Sequence, residues 1–341
     1  MTKPKKRRLL RILGIGCATV VVVVLGLAGW IALQVRAMNR PVVVDGIHPF
    51  KSAAKRDRYL ANYDARAARW PVPSQGVYVD TSWGETFVRI SGPEDGPALV
   101  LLPGANATSL LWEPNVAAWS EHYRVFAVDN VFDFGRSVYV RNMTTPEDFV
   151  EWLDELLVQM CLEEDVSLLG LSYGGWIAGQ YGLAHPERLT KLVLVAPAAT
   201  VAWFSGDFIT KGIMCLIPVP HFTKSMVRWA LHDAAEGTPE QRRIVAEAED
   251  NAWLGLRSFK LKQMVNPTVL TDEEWRSFRV PVLFLVGENE VIYSITGAEA
   301  VAKLNGVAPG IETELFTGCG HDVSLVQADR FNQRVLEFLD E

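Results

Sequence analysis

The chain has 341 residues, 49% of them hydrophobic and 21% charged, with a formal net charge of −7. Single hydrophobic cores stop growing near ~250 to 300 residues, so one large domain with appendages or two modest domains is expected. The acidic balance gives no overall attraction to nucleic acid. Cys17, Cys161, Cys215 and Cys319 lie far apart without a C-x-x-C pair, so neither a zinc site nor a thioredoxin-like motif is suggested, and no metal or other cofactor is expected.

Taken in chain order, the first element is an uncharged run from Ile12 to Val35, ILGIGCATVVVVVLGLAGWIALQV. At ~1.5 Å per residue such a helix spans a hydrocarbon core of ~30 Å with some tilt. A cleaved signal peptide has a shorter apolar core of ~7 to 15 residues, and Val35-Arg36-Ala37 is a poor cleavage site because of its central arginine. Lys3, Lys5, Lys6, Arg7, Arg8 and Arg11 precede the run, against Arg36, Arg40, Lys51 and Lys55 on the near flank beyond it. The positive-inside rule then keeps the tail in the cytoplasm and exports the rest. The expected arrangement is a cytoplasmic tail at 1–11, a transmembrane helix at 12–35, a stalk or packed helix at 36–75 and a domain at 76–341.

Within 36–75 a charged, alanine-rich piece from Ser52 to Trp70 reads as a helix ended by Pro71 and Pro73. VYVD and ETFVRIS then flank a Ser82-Trp83-Gly84 turn, which predicts an antiparallel hairpin. From there ALVLLPG, YRVFAVDN, VSLLGLS, KLVLVAPA, VPVLFLVGE and IETELF are short apolar or β-branched runs. Helical stretches separate them, including Pro146 to Cys161, Gly175 to His185 and Asp329 to Leu339. Near-continuous apolar strands alternating with helices predict an α/β domain, its mostly parallel sheet covered on both faces. Between about 199 and 280 the alternation lapses into a helical insert with Trp203, Phe204, Phe208, Phe222, Trp229 and Trp253. These aromatics either pack the insert onto the core or line a pocket beneath a lid.

Gly170-Leu171-Ser172-Tyr173-Gly174 fits G-x-S-x-G. The pattern alone is weak, but it follows the strand VSLLGL and precedes the small-residue helix GGWIAGQYGLA, the strand–turn–helix setting of a nucleophile elbow. There the glycines permit close backbone approach, and the helix N-terminus offers N–H groups to a developing oxyanion. A serine hydroxyl needs a base, and behind such an elbow the acid and the histidine follow in that order. Of six histidines only His321 lies after VPVLFLVGE, in the turn Gly318-Cys319-Gly320-His321. His185 and His221 read as a helix end and a loop residue. For the acid the candidates beyond that strand are Glu288, Glu290 and Glu299. Glu290 stands three residues past Gly287, the position from which a side chain would point toward His321, while Glu288 at the strand edge is the alternative and Asp322 is too close to orient its neighbour. The oxyanion donors are expected to be the N–H groups of Tyr173 and Ala105, with Gly104 and Asn106 as neighbouring possibilities.

From about Leu99 to its end the chain resembles the α/β-hydrolase superfamily, and within it bacterial carboxylesterases of the naproxen-esterase type. The resemblance rests on PGANATSLLWEPNVAAWSEHYRVFAVD, GLSYGGW, VPVLFLVGENEVIY and GCGHDVSLVQ. It implies an α/β-hydrolase fold and hydrolysis of a small-molecule ester through an acyl-enzyme on Ser172, while its motifs are much less specific for substrate. The aromatic insert, a helical cap, is what points to an apolar acyl or aryl ester. Relatives that are dehalogenases or epoxide hydrolases use Asp where this chain has Ser172. A serine-dependent acyltransferase, a carbon–carbon bond hydrolase, or a binding module with a vestigial triad are the other readings. Many relatives have His-Gly where this chain has Pro103-Gly104, a change that keeps the backbone donor but removes side-chain hydrogen bonds that fix its loop.

Overall fold

Runs such as VSLLGL at Val166–Leu171 and VLFLVG at Val282–Gly287 have no polar side to give to water, and both are buried along their whole length. Such strands need cover on both faces. The computed structural model, which describes residues 41–260 and 262–341 together with Gly26, Gly29, Leu33 and Arg36, supplies that cover. The chain divides into two units, Met1–Pro41 with Leu261–Gln263, and Val42–Lys260 with Met264–Glu341, and every element below belongs to the second. Of the expected span at Ile12–Val35, all but Gly26, Gly29 and Leu33, which are helical, lies outside the described residues. Among the described residues no helix is long and apolar enough to cross a membrane.

The strands are β1 (Ser74–Thr81), β2 (Gly84–Ser91), β3 (Ala98–Leu102), β4 (Arg124–Val128), β5 (Val138–Tyr139), β6 (Val166–Leu171), β7 (Leu189–Val195), β8 (Val282–Gly287) and β9 (Glu312–Phe316). Among the described residues they form one sheet in the order β1-β2-β4-β3-β6-β7-β8-β9, with β5 beside β2. The hairpin β1–β2 and the β2–β4 pair are antiparallel, while every pairing from β4 through β3 to β9 is parallel. Gly84, at φ +132°, is required where β5 runs alongside, since a Cβ there would stand 2.1 Å from Val138 O. The two-residue β5 was not anticipated, being too short to show a period.

The helices are α1 (Ala53–Ala67), α2 (Val116–Trp119), α3 (Pro146–Gln159), α4 (Tyr173–Ala184), α5 (Gly206–Met214), α6 (Pro220–Ala230), α7 (His232–Ala235), α8 (Pro239–Ser258), α9 (Asp272–Ser277), α10 (Gly297–Val307), α11 (Val323–Val326) and α12 (Ala328–Asp340). Period-two alternation sorts the strand side chains into two cores. Val100, Leu102, Leu168, Leu192, Leu194 and Phe284 point to the face holding Trp152, Trp176 and Leu304 of α3, α4 and α10. Leu99, Leu101, Leu169, Val193, Val195 and Leu285 point to the other, with Tyr59, Tyr63, Trp119, Phe331 and Phe338 of α1, α2 and α12.

Helix α1 is packed on the domain. Ser52 caps it by accepting from the Lys55 N–H, and Tyr59 and Tyr63 are wholly buried, with the Tyr59 hydroxyl donating to Asn251 Oδ1 at 3.0 Å. Helices α5 to α9 fill the stretch between β7 and β8, which is the expected insert. Within it His221 sits in the first turn of α6 and not in a loop, because Pro220 occupies the first helical position.

Candidate active site

Strand β6 turns into α4 at Ser172, whose φ of +54° is sparsely populated for an L-residue and persists only where the surroundings hold it. Three backbone hydrogen bonds do so. The Ser172 N–H donates to Val195 O at 2.9 Å, and Ser172 O accepts from Trp176 N at 3.0 Å and Ala198 N at 2.8 Å. The flanking glycines are required by contact: a Cβ on Gly170 would lie 2.2 Å from Gly174 O, and one on Gly174 would lie 2.3 Å from Leu102 O at the end of β3. Ser172 is left half-buried at the C-terminal edge of the sheet.

The loop after β3 passes over that serine, because a Cβ on Gly104 would stand 3.3 Å from Ser172 Cβ. Ala105, the next residue, is exposed, and the Tyr173 N–H belongs to the first turn of α4 and lies outside the i→i−4 ladder. The N–H of Asn106 is already committed, donating to Asp133 Oδ2 at 2.9 Å. Asn251 on α8 donates from Nδ2 to Asn106 O at 2.8 Å, and its Oδ1 accepts from the Tyr59 hydroxyl and from Arg66 Nη1 at 2.9 Å. Asp133 and Asn251 thus hold the loop at Asn106 from two sides. Sequence reasoning missed both, since neither belongs to a motif and Asn251 reads as one polar residue of an amphipathic helix.

His321 lies beyond β9 and Glu290 beyond β8. His321 Nδ1 and Glu290 Oε2 are 2.8 Å apart, with both residues buried. The other carboxylate oxygen of Glu290 accepts from the Ile292 N–H at 2.7 Å, which fixes its rotamer. Glu288 is exposed and accepts from the Gly318 N–H, so it braces the turn and does not meet the imidazole. Gly287 lets the histidine loop cross the end of β8, since a Cβ there would lie 2.1 Å from Gly320 O. Asp322 faces the cap, accepting from the Ala234 N–H at 2.7 Å. Burial pulls the His321 pKa down, but the Glu290 charge and hydrogen bond, aided by Asp322, outweigh it and hold the imidazole above its ordinary 6.5.

The structure therefore brings Glu290 and His321 together at the strand edge that carries Ser172, because β6, β7, β8 and β9 are parallel neighbours. Among the described residues no group of three or more His, Cys, Asp and Glu side chains could hold a metal ion. Residues 99–334 match the alpha/beta hydrolase family. The chain belongs to the α/β-hydrolase family. It is 36% identical over 284 residues to carboxylesterase YbfK of Bacillus subtilis (strain 168), covering 83% of this chain and 93% of that relative. An uncharacterized carboxylesterase, nap, of the same organism is 34% identical over 286 residues, 83% of this chain and 92% of its own length. The crystal structure of naproxen esterase (carboxylesterase NP) from Bacillus subtilis superposes with a TM-score of 0.77 at 32% identity, covering 84% of this chain and 99% of that one.

In this α/β-hydrolase Asn251 ties α8 to the loop over the serine through its hydrogen bond to Asn106 O. Asn251→Asp keeps the size and both acceptor contacts but cannot donate to Asn106 O. Misplacement of about 1 Å costs on the order of a hundredfold in rate, so this variant should lose ten- to a hundredfold in kcat on a small ester with KM little changed. Its melting temperature should fall, because Asn106 O loses its donor and faces a carboxylate at the buried position of Asn251. An unchanged kcat in the folded variant would mean that the loop holds itself.

Proposed function

We propose that this α/β-hydrolase cleaves carboxylic esters by transferring the acyl group to Ser172, with His321 as general base and Glu290 as its orienting acid. The observation that carries the reading is the 2.8 Å pair of His321 Nδ1 and Glu290 on the strand edge where Ser172 is presented. Glu290 keeps the Nδ1–H tautomer, which leaves Nε2 to take the serine proton as Oγ attacks the ester carbonyl. The N–H groups of Ala105 and Tyr173 stabilise the oxyanion, and their donors come pre-oriented by the loop and by the helix N-terminus. The imidazolium then protonates the leaving alkoxide, and the neutral ring next activates a water that releases the acid and frees Ser172. Family membership and the carboxylesterase names of the two relatives support an ester substrate. The cap supports an apolar one: the Phe204 backbone bridges to Tyr293, three residues past Glu290, and its ring packs tilted against that of Phe208 with centroids 4.7 Å apart.

The reading extends to location. Ile12–Val35 serves as a retained single-pass anchor, and the denser basic cluster before it places the catalytic domain outside the cytoplasm. Alkaline carbonate should leave the chain in the membrane, and protease added to intact spheroplasts should digest the domain. Release by carbonate refutes the anchor, and a protected domain refutes the orientation.

The triad is tested by kinetics. Ser172→Ala and His321→Ala should each lower kcat by ~10⁴ to 10⁶, and Glu290→Gln by less. In the wild type kcat/KM should climb with pH through a midpoint above the ordinary histidine value, because the base works only when neutral and Glu290 holds its proton on. Glu290→Gln removes that partner, so the midpoint should move to lower pH. A folded His321→Ala protein with wild-type turnover, or greater damage from Glu288→Ala than from Glu290→Ala, would overturn the assignment.

A further inference from the structure

Helix α5 buries none of its residues. Ile209 and Ile213, one turn apart on one side of it, are 41% and 52% exposed, and Trp203 before the helix and Val219 after it are 46% and 43% exposed. From Trp203 to Val219 the chain carries just two charges, Asp207 and Lys211. The Lys211 ammonium is turned over the Trp229 ring, 5.3 Å from its centroid. Single exposed apolar side chains are ordinary, but a run of large ones on a weakly charged stretch marks a surface that meets something apolar.

The chain enters the domain on the same side. Lys51 N donates to Ser258 O at 2.7 Å, Lys260 N donates to Pro49 O at 2.8 Å, and Phe50 pairs with Phe259, so the incoming segment lies along the end of α8. In that same turn Arg257 donates from Nη2 to Cys215 O at 3.0 Å, at the C-terminal cap of α5. Two hydrogen-bonded steps thus connect the point of entry to the exposed helix. Val43 and Val44 in the incoming segment are themselves more than half exposed. Only six residues lead from Arg36 to Val42, and a chain reaches at most about 20 Å over that length.

We propose that the cap surface from Trp203 to Val219 docks onto the lipid surface of the membrane that carries the anchor, and that apolar esters dissolved in the bilayer reach Ser172 from there. The proposal rests on the anchor reading, since the short tether is what brings this side of the domain to a bilayer. Its chemistry is that of an interfacial helix, with apolar side chains entering the headgroup boundary and a tryptophan at that level. Substrates are then esters that partition into lipid, and the cap admits them without passage through water.

The test uses the full chain reconstituted into phosphatidylcholine vesicles. The Ile209→Glu, Ile213→Glu double variant should turn over a long-chain ester dissolved in the bilayer at least tenfold more slowly. Its rate on a water-soluble acetate ester should stay unchanged. In vesicles of phosphatidylcholine brominated on its acyl chains, wild-type fluorescence should lose a component that Trp203→Phe lacks. Equal quenching of wild type and Trp203→Phe overturns the docking face, including the case in which a second copy of the chain covers it. Equal rates of wild type and the double variant on the bilayer ester overturn the route. The anchor is read separately: carbonate-resistant chain without Trp203 quenching leaves the anchor and removes the docking face. Carbonate release with Trp203 quenching retained does the reverse.

Discussion

Ser172 holds a backbone angle that an L-residue avoids, at a cost of order 1–3 kcal/mol, and the arrangement of the domain follows from keeping it there. The angle needs β6 to stop and α4 to begin within one residue, and it needs the end of β3 pressed against Gly174. It also needs β7 alongside, since Val195 O takes the serine N–H and Ala198 returns a donor to the serine carbonyl. A parallel sheet meets all of these conditions, because its strands end together at one edge and are locked by packing on both faces. Glu290 and His321 come to that edge for the same reason, as the loops that follow the next strands.

The cap and the N-terminal helix are bound into this arrangement through one side chain. Asn251 lies on α8 in the cap, receives hydrogen bonds from Tyr59 and Arg66 on α1, and donates to the loop over the serine. A buried amide of this kind stays fully satisfied only when helix, cap and loop are all in place, which makes it a device for register as much as for stability. Asp322 forms a second tie, joining the histidine loop to α7 through the Ala234 N–H. The cap is therefore attached to both of the loops that face the serine.

Much of this was legible in the sequence because it is carried by short-range pattern. The apolar runs of β6 and β8 announce a covered parallel sheet, and the G-x-S-x-G pattern gains meaning from the strand before it and the helix after it. Glu290 could be singled out by its distance from Gly287, though spacing alone left Glu288 open; the geometry separates them, since one is buried against His321 and the other braces Gly318. What was not legible depends on contacts between distant residues. Nothing local marks Asn251 or Asp133 as holding the loop at Asn106, some 145 and 27 positions away in sequence. Strand β5 and the helical placement of His221 escaped because each turns on one or two residues.

The central claim is that Ser172 is a nucleophile activated by His321, and chemical modification tests it without reference to any substrate. The full-length protein should react with a fluorophosphonate to give one adduct, found by mass spectrometry on the peptide that contains Ser172. The rate should rise with pH through a midpoint above the ordinary histidine value, and the adduct should be absent in Ser172→Ala. A folded protein that forms no adduct, or carries it on another serine, would contradict the account and favour a binding module in which the triad is vestigial.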